Sequence, residues 1–358
     1  MSQVTLGADR DRVASRPVLD SLTGLRWIAA LAVFGFHVHV SGLTDEPVLR
    51  SVLSGLFGSG ASGVPFFFIL SGMVLTWSAR PGTPAATFWR RRAARVLPNH
   101  MVTWLVVLAL VIVAGDAVEA GPAVAGLFLL QSWVPSEAYY FAVNTPAWSL
   151  SCELAFYAAF PLLLPLLRRV PANRLAWLAG GLVGGIWLVP LLSLPMADGL
   201  AYWFVWIFPV TRALEFALGI AVALLVASGR WRGPSLRVAS VLALTAYLTV
   251  PLAPERWEWV AWTAGPFALL IGAAAASESR GKGASFLASR PMVWLGTISF
   301  AFYLVHLPVI GVVGRLVGDG VPTPLAVTAI AGMLAGAVVT AYALHRLVER
   351  PAERRLRG

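Results

Sequence analysis

The chain has 358 residues, of which 58% are hydrophobic and only 12% are charged, and its mean hydropathy is +0.76. A soluble protein of this length needs more charged surface, so the composition excludes a soluble globular protein and predicts an integral membrane protein. The formal net charge of +10 would suit a nucleic-acid-binding protein, but the distribution of the basic residues does not require such a partner.

Apolar segments of membrane-spanning length recur along the whole chain. They lie at about 22–41, 63–79, 96–115, 148–167, 175–195, 203–228, 238–253, 259–277, 293–314 and 325–345. We therefore predict an all-α integral membrane protein with a bundle of about ten transmembrane helices. It forms a single domain over residues 1–358, with short polar tails at 1–20 and 346–358. The span at 238–253 is the weakest, because it is short and ends at Pro251 and Pro254.

The basic residues alternate between the two sides of these spans. Placing the N-terminus in the cytoplasm leaves 22 Lys and Arg residues in inner segments and three in outer loops. Basic residues favour the cytoplasmic side, where they contact anionic lipid headgroups. The count predicts a multi-pass protein of the cell membrane with both termini cytoplasmic and no nucleic-acid partner.

The first span, "GLRWIAALAVFGFHVHVSG" at 24–42, carries two ionisable residues on one helix face. Arg26 and His37 are eleven residues apart, which places them within about 20° of each other and roughly 16 Å apart along the axis. His39 points about 200° away from His37. Ionisable groups inside a membrane helix are costly, so the pair indicates a functional site at least as strongly as a structural one.

The strongest basic cluster is "FWRRRAARVLP" at 88–98, on the predicted inner surface. Much of it is typical of membrane anchoring. Arg92 and Arg95 are three residues apart and therefore share one side of a helix, where they could clamp an anionic cytoplasmic ligand.

Further polar residues interrupt later spans. Glu153 lies about five residues into the fourth span from the outer side, at about the depth of His37, where a base and its orienting partner would lie. Arg212 and Glu215, in "TRALEFALG", have i,i+3 spacing and are typical of a self-neutralising pair facing the bundle interior. His306 lies in the outer half of the ninth span, again near the depth of His37.

Taken in order, these motifs resemble acyltransferase family 3, integral-membrane enzymes that modify bacterial surface sugars and some macrolide antibiotics. The matching residues are the Arg26/His37 pair, "VPFFFILSG" at 64–72, the Arg92/Arg95 pair, "WSLSCELAFY" at 148–157, "TRALEFALG" at 211–219, "FAFYLVHLP" at 300–308 and "ERP" at 349–351. Each motif alone is weak, whereas the ordered set is specific.

The resemblance implies an O-acyltransferase that moves an acetyl or short acyl group from acyl-CoA to a hydroxyl. The acceptor would be a sugar, a cell-envelope glycan or a macrolide-type natural product. Acyl-CoA would be a co-substrate, with no tightly bound cofactor and no metal. Its polyanionic end would meet the donor-binding arginines, namely Arg26, Arg92 and Arg95.

Catalysis would then centre on His37 as general base, with Glu153 orienting it or stabilising its imidazolium, by direct transfer or through an acyl-histidine intermediate. The candidate oxyanion donors and supporting residues are Ser71, Ser149, Ser151, Arg212, Glu215 and His306.

Two other classes compete with this interpretation. A transporter or flippase could use the intramembrane charges as a solute or proton path. A glycosyltransferase acting on a lipid-linked sugar is disfavoured, because the longest outer loop, 116–147, has no Asp-x-Asp pair.

Overall fold

The computed structural model describes residues 18–80, 82–281 and 286–356, so most of the predicted N-terminal tail lies outside the described residues. Within these ranges the fold is all-helical and contains no β-strand, as predicted. The helices are α1 (Asp20–Val40), α2 (Pro47–Phe57), α3 (Gly63–Ser78), α4 (Ala85–Val113), α5 (Ala120–Leu127), α6 (Glu137–Tyr140), α7 (Trp148–Arg168), α8 (Leu175–Ser193), α9 (Asp198–Tyr202), α10 (Pro209–Ala227), α11 (Leu236–Leu248), α12 (Ala261–Ser279), α13 (Arg290–Val317), α14 (Thr323–Leu344) and α15 (Arg350–Leu356).

Eight helical segments of the described chain are long and apolar enough to cross a membrane, and they coincide with eight of the ten predicted spans. The two remaining predicted spans are α11 and α12. Helix α11 has only 13 residues, as its flanking prolines suggested, and α12 ends in the polar sequence Ser277–Ser279. These two helices pack against each other, and α12 also packs against α3 and α10. The bundle is therefore confirmed, while its orientation in the membrane stays a prediction.

Helices α3 and α10 pack closely against each other through two glycines. A Cβ atom added at Gly72 would overlap the carbonyl oxygen of Phe216, and one added at Gly219 would overlap that of Ile69. Such reciprocal small-residue contacts let two membrane helices approach closely enough for extensive van der Waals packing. The pair thereby fixes the face of α3 that carries Phe67, Phe68 and Ser71.

Helices α1 and α13 are joined in a similar way. A Cβ atom at Gly296 of α13 would overlap the carbonyl oxygen of Thr23, so the two backbones nearly touch at this end of α1. Near the other end, Phe302 of α13 packs against Phe34, with ring centroids 5.8 Å apart. This contact holds the histidine-bearing ends of the two helices against each other.

The predicted outer loop 116–147 is an ordered part of the bundle. It contains α5, α6 and two 3-10 turns, and its polar side chains bond to neighbouring helices. Ser132 Oγ donates to the carbonyl oxygen of Trp148 at 2.8 Å, and Asn144 Nδ2 donates to that of Leu304 at 3.2 Å. His100 Nε2 of α4 lies 3.1 Å from the carbonyl oxygen of Gly126. These hydrogen bonds pair the polar groups of the irregular segment within the protein and fix it to the bundle.

The predicted polar tail 346–358 is helical as far as Leu356, the last described residue. A π-helical turn, His345–Glu349, leads into α15, and both pack against α4. Glu349 is buried; its Oε2 accepts a hydrogen bond from Asn99 Nδ2 at 3.1 Å and lies 3.1 Å from His345 Nδ1. The C-terminal segment therefore braces the helix that carries the basic cluster.

Candidate active site

Three arginines and a glutamate line a cavity between α1, α3, α4, α7 and α13, which we call the arginine cavity. Arg26 comes from α1, Arg92 and Arg95 from one side of α4, as their spacing predicted, and Glu153 from α7. These charges interact with one another, and Glu353 of α15 also acts on Arg92. Because guanidinium groups outnumber carboxylates, the cavity keeps an excess of positive charge, which favours an anionic ligand.

Glu153 belongs to this cavity and does not contact His37. Its Oε2 accepts a hydrogen bond from the Tyr157 hydroxyl at 3.0 Å, and Ser71 hydrogen-bonds to the same tyrosine. The structure does not bring Glu153 together with His37, so it lends no support to the predicted role of Glu153 in orienting that residue. A shared depth in the bilayer fixes only one coordinate, and the Glu153 side chain faces Arg26. Ser71, a candidate oxyanion donor, also lies with Tyr157 and away from His37.

His37 lines a second cavity, on the predicted outer side, which we call the histidine cavity. Its walls are mainly aromatic: Phe36, Phe141, Trp148, Tyr202, Trp206, Trp259 and Tyr303. Among the described residues that line it, Glu258 is the only carboxylate and no lysine or arginine is present. The two cavities thus differ in chemistry: one favours an anion, the other an organic molecule with apolar faces.

The partner of His37 is His306 of α13. His306 is buried, and its Nε2 lies 3.0 Å from His37 Nδ1. Two backbone carbonyls hold the rings: Val33 O lies 2.9 Å from His37 Nδ1, and Tyr303 O lies 2.7 Å from His306 Nδ1. The sequence predicts a similar depth for the two histidines, and in the structure they are in direct contact.

These contacts decide which nitrogens carry hydrogen. A carbonyl oxygen only accepts hydrogen bonds, so the Nδ1 atom facing it is protonated in each neutral imidazole. His306 Nε2 then has a free lone pair, and the Nδ1–H of His37 is shared between this lone pair and the Val33 carbonyl oxygen. His37 Nε2 is left unprotonated and available as a base toward the histidine cavity.

Val64 and Tyr303 line both cavities and therefore form the wall between them. The Tyr303 hydroxyl is hydrogen-bonded to Ser149 Oγ at 3.0 Å, which fixes the ring in place. Ser149, predicted as an oxyanion donor, accordingly lies at the boundary, on the side of the arginine cavity.

Three other predicted residues lie outside both cavities. Ser151 is buried and its Oγ has no hydrogen-bond partner. Arg212 and Glu215 are each 1% exposed and form an ion pair with Nη1 and Oε1 2.8 Å apart, which confirms the interpretation as a self-neutralising pair in the interior. The Arg212 guanidinium lies 5.0 Å from the ring centroids of both Phe68 and Trp206.

Sequence reasoning missed Tyr157, Tyr303 and Glu258. The two tyrosines stand inside motifs that were recognised, four residues after Glu153 and three residues before His306, at spacings that share a helix face. Glu258 had no such signal, because it lies in a connection before α12. The described residues contain no group of three or more His, Cys, Asp or Glu side chains that could hold a metal ion.

Comparison with known families decides the classification. The family model described as "Acyltransferase domain", acyltransferase family 3, matches residues 19–342. The chain belongs to this family.

Three bacterial proteins are similar to the chain over most of its length. "Acyltransferase MdmB" from Streptomyces mycarofaciens is 39% identical over 94% of this chain and 92% of that protein. "Exopolysaccharide production protein ExoZ" from Rhizobium meliloti is 30% identical over 84% of this chain and 92% of that protein. "Peptidoglycan O-acetyltransferase OatA" from Listeria monocytogenes is 25% identical, and the chain spans 50% of its length. No solved structure matches the chain.

Proposed function

We propose that this membrane acyltransferase moves a short acyl group from acyl-CoA to a hydroxyl group of a sugar, glycan or macrolide-type natural product. The observation that carries the proposal is the arrangement of the two cavities. An anion-binding cavity meets, at Val64 and Tyr303, a cavity that contains an unprotonated imidazole nitrogen. A polyanionic thioester and a neutral alcohol need these two environments side by side.

The arginine cavity is the proposed donor site. Arg26, Arg92 and Arg95 bind the phosphates of CoA, because guanidinium groups form bidentate, charge-assisted hydrogen bonds with phosphate. Glu153 keeps the guanidinium groups apart and oriented, which replaces its predicted role at the base. The pantetheine arm extends past Tyr303 and brings the thioester carbonyl to His37.

His37 is the proposed general base. Its Nε2 takes the proton of the acceptor hydroxyl as the oxygen attacks the thioester carbonyl, and the tetrahedral intermediate collapses with loss of the CoA thiolate. His37 then returns the proton to the thiolate sulfur. His306, which accepts from Nδ1–H, stabilises the imidazolium that forms between these steps.

Names of relatives support a hydroxyl acceptor. One is named as a peptidoglycan O-acetyltransferase and another as an exopolysaccharide production protein. The transporter alternative gains no support from the buried charges, since Arg212 and Glu215 neutralise each other outside both cavities.

The test uses purified protein in nanodiscs with acyl-labelled acetyl-CoA and propionyl-CoA, and a panel of sugars and macrolides. The proposal expects an alkali-labile, labelled ester on at least one acceptor and its loss in His37→Ala, at equal amounts of inserted protein. Ester formation by His37→Ala at the wild-type rate would overturn the base assignment. If neither acyl-CoA donates its acyl group, although cells that contain the same protein form the ester, the assignment of acyl-CoA as the donor is overturned.

A further inference from the structure

The histidine cavity contains a carboxylate whose charge the protein leaves uncompensated. Glu258 lies in the connection 253–260 between a 3-10 turn and α12. Its Oε2 is buried and has no hydrogen-bond partner, whereas the backbone amides of Arg256 and Glu258 reach the carboxyl group. Glu258 lines the histidine cavity, and a buried carboxylate oxygen without a hydrogen-bond partner is costly.

No basic side chain among the described residues supplies that partner. The nearest in sequence is Arg256, and its guanidinium is used elsewhere: Nη2 donates to Asp198 Oδ1 at 2.9 Å and Nη1 to the carbonyl oxygen of Ser193. Burial raises the pKa of Glu258, and the carboxylate of Glu255, the charged group that acts on it, raises this pKa further. The charge around Glu258 is therefore negative, and a bound cation would neutralise it.

The backbone of this connection is held in a strained conformation. Arg256 has φ +73°, in the left-handed region that a residue with a long side chain seldom adopts. Its two hydrogen bonds to the α8–α9 connection hold it there, and this turn directs the next residues, Glu258 and Trp259, to the cavity. Strain of this kind persists where surrounding contacts enforce it and is common at ligand sites.

Aromatic rings line the same cavity as Glu258. The ring centroids of Tyr202 and Trp259 are 5.2 Å apart with planes at 76°, and Phe141 lies 6.5 Å from Tyr202. The faces of aromatic rings attract organic cations, and the attraction increases when the cation is removed from water. Aromatic faces also pack against the C–H surfaces of sugars.

We propose that Glu258, Trp259 and Tyr202 form a subsite that binds a protonated amine of the acceptor, while an acceptor hydroxyl lies at His37. The acceptor class is then an amine-bearing sugar or an amine-bearing natural product. This inference rests on the proposed function, because it takes the histidine cavity as the acceptor site.

The test measures binding without turnover. Wild-type protein in nanodiscs is titrated by calorimetry with 2-deoxy-2-dimethylamino-glucose, which is cationic, and with glucose as the neutral counterpart. We expect the wild type to prefer the cationic sugar by about tenfold, as one buried charge contact would give. Glu258→Gln should reduce this preference to below about twofold and leave glucose binding unchanged. Glu119→Gln, an equal charge change at an exposed residue that lines neither cavity, should retain it.

A wild-type preference below about twofold, including no measurable binding of either sugar, overturns the subsite, as does an unchanged preference in Glu258→Gln. His37→Ala separates the two proposals. It should lose acyl transfer and keep the preference for the cation. If His37→Ala keeps acyl transfer, the base assignment fails while the subsite stands. If only the preference for the cationic sugar is unchanged in Glu258→Gln, the subsite fails while the proposed transferase activity stands.

Discussion

Nε2 of His306 lies 3.0 Å from Nδ1 of His37, although the two residues are 269 positions apart in the chain. Each ring is also fixed by a backbone carbonyl of its own helix. The pair has the arrangement of a base and an orienting acceptor, with an imidazole where many hydrolases and transferases use a carboxylate. Together these contacts make Nδ1 of His37 the protonated nitrogen and leave Nε2 free.

The first prediction concerns this contact. His306→Leu removes one of the two acceptors of His37 Nδ1–H, leaves only the Val33 carbonyl oxygen, and takes away the group that stabilises the imidazolium; it should lower kcat by roughly 100-fold, with little change in the KM for acyl-CoA. His306→Gln offers an amide oxygen as a replacement acceptor and should retain activity within about tenfold of wild type. Steady-state kinetics in nanodiscs would measure both.

His39→Ala is the matched control for these variants, because His39 is on the same helix as His37 and lines neither cavity. Equal losses in the leucine and glutamine variants would contradict an orienting role for His306.

The second prediction concerns donor binding. Arg92→Ala and Arg95→Ala should each raise the KM for acetyl-CoA by about tenfold or more, since each removes a charge-assisted contact to phosphate. With acetyl-pantetheine, which lacks the nucleotide, the same variants should match the wild type. Arg91→Ala, an exposed arginine of the same cluster, serves as control. A uniform loss with both donors would indicate a structural role instead.

The third prediction concerns the wall between the cavities. Tyr303→Trp enlarges the side chain that both cavities share and should block passage of the pantetheine arm. Transfer should fall by at least about tenfold, while binding of desulfo-CoA, measured by calorimetry, stays near the wild-type value. Tyr303→Phe keeps the ring and should retain most activity. Loss of CoA binding in the tryptophan variant would place the obstruction elsewhere.

The fourth prediction concerns stability. Glu215→Leu leaves the Arg212 guanidinium buried without its counter-charge and should destabilise the protein by about 3–5 kcal/mol. Arg212→Met combined with Glu215→Leu removes both charges and should recover most of that loss. Thermal unfolding of detergent-solubilised protein would report the difference. A double variant no more stable than Glu215→Leu would show that the pair has a further role.

Several features of the site follow from the sequence because they depend on one helix. The spacing of Arg26 and His37, and of Arg92 and Arg95, fixes which side chains share a face, and both pairs line the cavities. The i,i+3 pairing of Arg212 with Glu215 is equally local. The apolar spans follow from composition, since the bilayer sets their length.

The placement of Glu153 and that of Glu258 could not be read from the sequence for one reason. Sequence places a residue along a helix, but it does not state which neighbouring helix the residue faces. The sequence predicts similar depths for His306 and Glu153 relative to His37, and only the packing of α1 on α13 selects His306 as the partner. Glu258 reaches its cavity through a strained turn anchored on another connection.

The sequence by itself determined the class of protein, the helices and the local pairs of charges, because hydrophobicity and helical period act within short segments. Tertiary structure alone decided that two cavities of different charge meet at Tyr303 and that His306 is the partner of His37. Those contacts join residues hundreds of positions apart, and close glycine-mediated packing between helices, which no local pattern specifies, brings them together.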